Sequence, residues 1–229
     1  MSDCGDTGRS AGEGGAKSAP TLGPALEVRR LGCVSYREAR ALQEELLTER
    51  IAGRIPDQLL LVEHSPVVTL GRRTPVAEWD HLDVEVVEVE RGGEATWHGP
   101  GQLVGYPVVA LPEGRRDLHR YLRDLEQVVI EVLAGLGLEA GRREGWTGVW
   151  VGELKLCSIG VAVRRWVAWH GFALNVSCDL SGFGGFSPCG LQSAVMGRVA
   201  DLAEVPVTDP LLLGAAEAAF RAVFGYPRV

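Results

Sequence analysis

Hydrophobic and polar positions change period repeatedly along the chain, and each change marks an element. Val28 to Val34 predicts a short strand. Ser35-Tyr36-Arg37-Glu38 has the form of a capping box, in which the Ser hydroxyl and the Glu carboxylate each satisfy a backbone N–H left open by the first helical turn. It predicts a helix through about Arg50, with Ala39, Leu42, Leu46 and Leu47 on its apolar face. Leu59 to Glu63 and Val67 to Leu70 read as strands separated by His64-Ser65-Pro66, and Val84 to Val89 alternates loosely into another. Leu103 to Leu111 is a strongly apolar strand. Asp117 caps a helix running to about Leu136, with Leu118, Tyr121, Leu122, Leu125, Val128, Val129 and Val132 on its buried side and Gly135 and Gly137 ending it. Thr147 to Val151 and Lys155 to Val163 form a hairpin turning at Gly152-Glu153, and Trp166 to Val176 is a third strand. Thr208-Asp209-Pro210 starts a last helix, Leu211 to Phe224, stopped by Gly225. Consecutive antiparallel strands with helices elsewhere predict an α/β fold of the α+β type, with mixed or antiparallel sheets flanked by helices.

The 229 residues are 46% hydrophobic, enough for a full core, and no interior stretch has linker composition, so we expect one domain. Residues 1–25, rich in Gly, Ser, Ala and Pro, read as a disordered extension, and 26–229 as the folded part. The extension has no apolar run and carries Asp3, Asp6 and Glu13, so it is neither a secretory signal nor a transit peptide, and no segment is long enough to cross a membrane. A net charge of −7 speaks against nucleic acid as a partner, because that affinity comes mainly from neutralising phosphates. The cysteines, Cys4, Cys33, Cys157, Cys178 and Cys189, are odd in number and lack C-x-x-C spacing, which fits a reducing, cytoplasmic setting rather than a disulfide framework. They and the five histidines never fall at paired ligand spacing, so no metal is expected. Gly15-Ala16-Lys17-Ser18 lacks the glycine and the preceding strand of a phosphate loop.

The densest chemistry lies in Arg91 to Tyr106, where five glycines and a proline carry an arginine, a histidine, a glutamine and two aromatics. It reads as a shaped loop; a wide hairpin whose glycines only serve turns is the alternative. A second Gly-rich stretch, Gly182 to Gly190, carries Cys189 in the turn-prone sequence Phe186-Ser187-Pro188-Cys189-Gly190, which suits an exposed sulfur, whereas Cys157 sits inside an apolar strand. A free thiol is only about 3% ionised at pH 7, so a nucleophilic Cys189 needs a neighbouring cation. Lys155 and the histidines are the candidates. Basic charge is almost all arginine, Lys17 and Lys155 being the two lysines, and arginine stays protonated where lysine can exchange a proton. His98 has two readings: the base of a Cys–His pair, or a residue that holds the Gly99-Pro100-Gly101 turn and borders a substrate cleft. Arg72-Arg73, Arg115-Arg116, Arg142-Arg143 and Arg164-Arg165 are either steering charges for an acidic partner or solvated loop edges.

These residues carry a resemblance. Arg91-Gly92-Gly93, Thr96-Trp97-His98-Gly99-Pro100-Gly101-Gln102, Lys155 with Ser158-Ile159-Gly160, His170-Gly171-Phe172-Ala173-Leu174-Asn175, and Pro188-Cys189-Gly190 resemble, in order, the signature blocks of the lipoate-biosynthesis octanoyltransferases. The likeness runs from about Leu31 to the C-terminus and departs from the usual pattern at Val195-Met196-Gly197, where Val-Thr-Ser is common. It implies a fold shared with biotin- and lipoate-protein ligases and transfer of an octanoyl group without a cofactor. The donor it implies is octanoyl-acyl carrier protein. The acceptors are lysines on the lipoyl domains of 2-oxoacid dehydrogenase complexes and on the glycine cleavage H protein. It implies that Cys189 forms an acyl thioester and that Lys155 is the acid/base beside it. The implied acyl-binding segments are Arg91, Gly92, Gly93, Glu94, Ala95, Thr96, Trp97 and His98, then Ser158, Ile159 and Gly160, then Gly171, Phe172 and Ala173. Trp97 and Phe172 are expected as walls of an apolar groove. Against this stand an ATP-dependent ligase on the same fold, for which Cys189 would be superfluous, a noncatalytic lipoyl-domain binding protein, and a papain-like hydrolase using His98 or His170.

Overall fold

The computed structural model describes residues 25–75, 79, 82–184, 186, 195–204 and 209–228. The N-terminal extension up to residue 24, Cys189 and Thr208 therefore lie outside the described residues. The chain runs β1 (Leu26–Val34), α1 (Tyr36–Ile51), β2 (Asp57–His64), β3 (Val67–Leu70), β4 (Glu85–Glu88), β5 (Thr96–His98) and β6 (Gln102–Ala110). It continues through α2 (Leu118–Gly135), β7 (Gly141–Arg143), β8 (Trp146–Val151), β9 (Leu154–Arg164), β10 (Val167–Asn175) and α3 (Asp209–Phe224).

Seven strands form one sheet in the order β1-β2-β6-β10-β9-β8-β7, parallel between β1 and β2 and antiparallel elsewhere. A smaller sheet, β4-β3-β5, pairs β3 in parallel with β4 and antiparallel with β5. This is the expected mixed α/β architecture. The central strands are covered on both faces, which is why they read as continuous apolar runs. Leu59 and Leu61 of β2 pack with Tyr121, Leu125 and Val129 of α2 and Phe220 and Phe224 of α3. Leu60 and Val62, pointing the other way, pack with Tyr36, Ala39, Leu46 and Leu47 of α1. The small sheet closes over that second face, and its Val68 and Trp97 form a third cluster with Ala95, Cys178, Phe183 and Met196.

Local signals set the helix ends. Ser35 and Glu38 make the reciprocal capping box, Asp117 caps α2 by accepting from the Arg120 N–H, and Gly137 and Gly225 take positive φ just past α2 and α3. Two buried carboxylates tie the layers together. Asp57 accepts from Arg50 Nε at 2.6 Å, the Ala110 N–H at 2.9 Å and the Tyr226 hydroxyl at 2.7 Å. Glu126 of α2 accepts from Arg123 at 2.7 Å, Arg142 at 3.0 Å and the Gly148 N–H of β8 at 3.1 Å.

Three expectations need correction. Leu118, placed on the buried face of α2, is 42% exposed at the first position of the helix. Trp166 is a turn residue with φ +61 and β10 begins at Val167. The stretch Arg91 to Tyr106 is not all loop: Thr96–His98 is a strand, paired through Trp97 with Val68 of β3.

Candidate active site

Arg91 is the internal staple of its loop. Its guanidinium, 7% exposed as a residue, donates to the Thr69 carbonyl at 2.8 Å, the Thr69 hydroxyl at 2.9 Å and the Glu94 carbonyl at 2.8 Å. The glycines let the loop come this close. A Cβ on Gly71 would stand 2.4 Å from the Gly93 carbonyl, one on Gly160 would stand 2.9 Å from both Arg91 Cδ and the Gly92 carbonyl, and Gly93 sits at φ +89. The Gly92 N–H donates to the Val161 carbonyl at 2.9 Å, which hangs the loop on β9.

Beyond this loop, His98 starts a polar chain. Its Nδ1 donates to Gln102 Oε1 at 2.7 Å, since Gln102 Nε2 is itself spent as a donor to Asn175 Oδ1 at 2.9 Å. Asn175 Nδ2 donates to the Gly197 carbonyl at 2.9 Å, and the Gly197 N–H donates to the Lys155 carbonyl at 3.0 Å. Burial holds the His98 imidazole down at about 3, with the neighbouring His64 adding to the effect, so it is neutral. The ring thus spans the Gly99-Pro100-Gly101 turn through the Gln102 side chain rather than through backbone groups, and a pairing with Cys189 lies outside the described residues. His64 is likewise neutral, its Nδ1 donating to the Val34 carbonyl at 3.0 Å and its Nε2 accepting from the Tyr106 hydroxyl at 2.7 Å.

Between this loop, α1 and strands β6, β9 and β10 lies a cleft. Arg91, Gly93, Thr96, His98, Ser158, Ile159, Gly160, Gly171, Phe172 and Ala173 line it, together with Tyr36, Val104, Tyr106 and His170. The strand register brings the two later segments together, since Ser158 pairs with Ala173, Ile159 with Phe172 and Gly160 with Gly171. Gly92, Glu94, Ala95 and Trp97 are not among the lining residues. Trp97, expected as a wall, faces away: its ring packs edge-on against Phe183 at 5.5 Å and fills the space over Gly99 and Gly182. The ring of Phe172, the other expected wall, lies over Gly105 in the cluster packed against α2 and α3. Of the four lining residues that sequence reasoning left out of the cleft, Tyr36 and Tyr106 gave an available signal, as buried tyrosines need a hydroxyl partner or an opening.

Lys155 is the second residue of β9 and is 1% exposed. Its stem lies over Gly148, which has φ +136; a Cβ there would stand 2.7 Å from Lys155 Cε and 3.5 Å from Nζ. Among the described residues no acceptor bonds its ammonium. Its backbone bridges to Met196, seven residues beyond Cys189. Two thiols are buried among the described residues: Cys157 is enclosed in β9, and burial pushes the Cys178 thiol up to about 12. The arginine pairs are split in role. Arg115 is buried against Asp124, Arg142 binds Glu126 and Arg143 binds Glu153 while lying over Trp150. Among the described residues Arg116, Arg164 and Arg165 meet no carboxylate. Among the described residues no group of three His, Cys, Asp or Glu side chains could hold a metal.

Residues 35–220 match the lipoyl protein ligase A/B catalytic domain. The chain is 50% identical over 183 residues to the octanoyltransferase of Syntrophotalea carbinolica, covering 80% of this chain and 87% of that one. It is 47% identical over 194 residues to that of Mycobacterium tuberculosis, covering 80% and 84%. In three dimensions it superposes on the bipartite lipoate protein ligase of Thermoplasma acidophilum with a TM-score of 0.69 at 19% identity, covering 90% of this chain and 86% of that one. For the biotin protein ligase of Aquifex aeolicus the TM-score is 0.51 at 12% identity, with 87% and 68% covered. These structural likenesses establish the fold, and the sequence likenesses, extended over most of both chains, establish the relationship: the chain belongs to the lipoyl protein ligase A/B catalytic-domain family, among its octanoyltransferases.

Proposed function

We propose that this acyltransferase moves an octanoyl group from octanoyl-acyl carrier protein to a lysine of a lipoyl domain, through a thioester on Cys189. The acceptors are the lipoyl domains of 2-oxoacid dehydrogenase complexes and the glycine cleavage H protein, the compartment is the cytoplasm, and the catalytic domain is 26–229. In the first half-reaction Lys155 takes the proton of the Cys189 thiol. The thiolate attacks the donor's carbonyl carbon, the carrier's sulfur leaves, and Lys155 returns the proton to it. In the second, the acceptor's amine attacks the acyl-enzyme, Lys155 takes the proton that the amine sheds, and Cys189 departs as a thiolate. Thioester exchange is nearly balanced and amide formation runs downhill, so no nucleotide is required. The cleft lined by Val104, Ala173, Gly160 and Gly171 receives the acyl chain.

The observation that carries this reading is Lys155. It is one of two lysines in an arginine-rich chain, it is almost fully buried without an acceptor for its ammonium among the described residues, and its backbone is bridged to the segment that follows Cys189. The test is intact mass spectrometry after incubation with an octanoyl thioester and no ATP. The protein should gain one octanoyl group, lose that capacity as Cys189→Ala, and pass the group to an apo lipoyl domain. An adduct retained in Cys189→Ala, or transfer that needs ATP, would overturn it.

A further inference from the structure

Along β10 the cleft ends at a residue under unusual constraint. His170 is held at φ +59, a left-handed conformation that a histidine in mid-strand adopts only when its surroundings impose it. Its N–H donates to the Gln43 side-chain oxygen at 3.1 Å instead of to β6, with which residues 169–171 make no pairing. The ring is 1% exposed and lies flat on Trp169, centroids 4.1 Å apart. Among the described residues neither ring nitrogen has a hydrogen-bond partner, and Nε2 stands 3.7 Å from Glu90 Oε2, a buried oxygen that also lacks one. The other oxygen of Glu90 binds Arg40 of α1. So α1 and β10 close this end of the cleft with a cluster that is buried, polar and under-bonded.

Its position matters because β9 and β10 act as a scale. Moving away from Lys155, the lining passes Ser158 and Ala173, then Gly160 and Gly171, then His170 opposite Val161. At about 3.3 Å per residue, the lining from Ser158 to the level of Val161 spans roughly 10 Å along the strand. The near part of this path is walled by Ala173, Val104 and the side-chain-free Gly160 and Gly171, and its far end is the imidazole. Resting on the acyl-transfer reading above, we propose that His170 is the end-stop of the acyl compartment and so determines the length of chain that the enzyme accepts. A chain that reaches the ring gains apolar burial along its whole length. One more methylene meets a ring stacked on Trp169, on a backbone held by Gln43, or must cover nitrogens and an oxygen already short of hydrogen bonds, which costs free energy rather than gaining it.

The test is a series of acyl thioesters, from hexanoyl to hexadecanoyl, scored by the rate of adduct formation. Wild-type enzyme should show a steep fall beyond its optimum, on the order of tenfold or more per added pair of methylenes, the scale on which apolar pockets discriminate length. His170→Gly suits the left-handed backbone and removes the ring, so its dodecanoyl-to-octanoyl ratio should rise at least tenfold; His170→Asn, also tolerated there, should shift the ratio the same way by less. Because each variant is compared with itself across chain lengths, lower overall activity does not mimic the effect. A folded variant with an unchanged ratio would overturn the proposal. So would a wild-type enzyme indifferent to length, an outcome that needs no variant. Failure of the acyl-transfer reading is distinguishable, because wild type would then form no adduct with any thioester.

Discussion

Gly148 offers the sharpest test of how the lysine is held. Its φ of +136 is open to glycine and strained for any L side chain, and the place a Cβ would occupy is 2.4 Å from the Cys157 carbonyl and 2.7 Å from Lys155 Cε. Gly148→Ala therefore adds backbone strain of about 1–3 kcal/mol to overpacking of about 1–3 kcal/mol. Taking roughly 3–4 kcal/mol in all, and about 2–4 °C per kcal/mol for a chain of this size, unfolding should begin about 10 °C lower. The carbonyl belongs to a central strand and gives little, so the Lys155 stem must yield. Displacing a reacting group by about 1 Å costs on the order of a hundredfold in rate. Thermal unfolding followed by fluorescence, and adduct formation measured well below the new midpoint, read the two effects separately. Gly152→Ala is the control: φ is +55 and nothing lies within 4 Å, so it should lose about 1–2 kcal/mol with transfer intact. If Gly148→Ala unfolds within 2 °C of wild type and transfers at the normal rate, the close approach described between β8 and Lys155 is wrong.

Removing the Asp57 carboxylate leaves Arg50, the Ala110 N–H and the Tyr226 hydroxyl unpaired at a buried position, so Asp57→Ala should cost about 3–5 kcal/mol in a denaturant titration. Loss of the α1 capping box in Ser35→Ala should cost about 1 kcal/mol by the same measurement and leave transfer unchanged. Stability should fall as pH drops below about 6.5, the ordinary histidine value. His98 and His170 are held down at about 3 and His64 is also lowered, so the unfolded chain binds protons that the folded one refuses. Their contribution is complete above the unfolded value and is lost progressively as pH falls toward 3. A denaturation midpoint that stays constant from pH 7.5 to pH 5 would contradict that burial.

Much of the architecture was legible in the chain because its causes are local. The Ser35–Glu38 reciprocity, the Asp117 cap and the glycines at 137 and 225 are decided within a few residues, and they set the helix ends wherever the helix packs. The strand β5 was not legible: its three residues have no periodicity of their own and pair only because β3 lies alongside. Leu118 and Trp97 were misplaced for a related reason. An apolar residue's period says that it turns toward something, and only the neighbouring layer decides whether that is the core, the cleft or solvent.

For the site, the sequence by itself determined the chemical cast. A lone interior lysine among arginines, a cysteine in a turn, and glycine-rich segments are chemical statements, and they need no coordinates. Tertiary structure decided which of these segments share a wall. Antiparallel register sets Ser158–Gly160 beside Gly171–Ala173, α1 brings Tyr36 to the same cleft, and Trp97 turns its ring away from it. It also decided the constraint on His170, whose left-handed backbone and missing partners arise from Gln43, Glu90 and Trp169. Residue type fixes what a group can do, whereas distance and burial, which come from contacts far apart in the chain, fix what it meets.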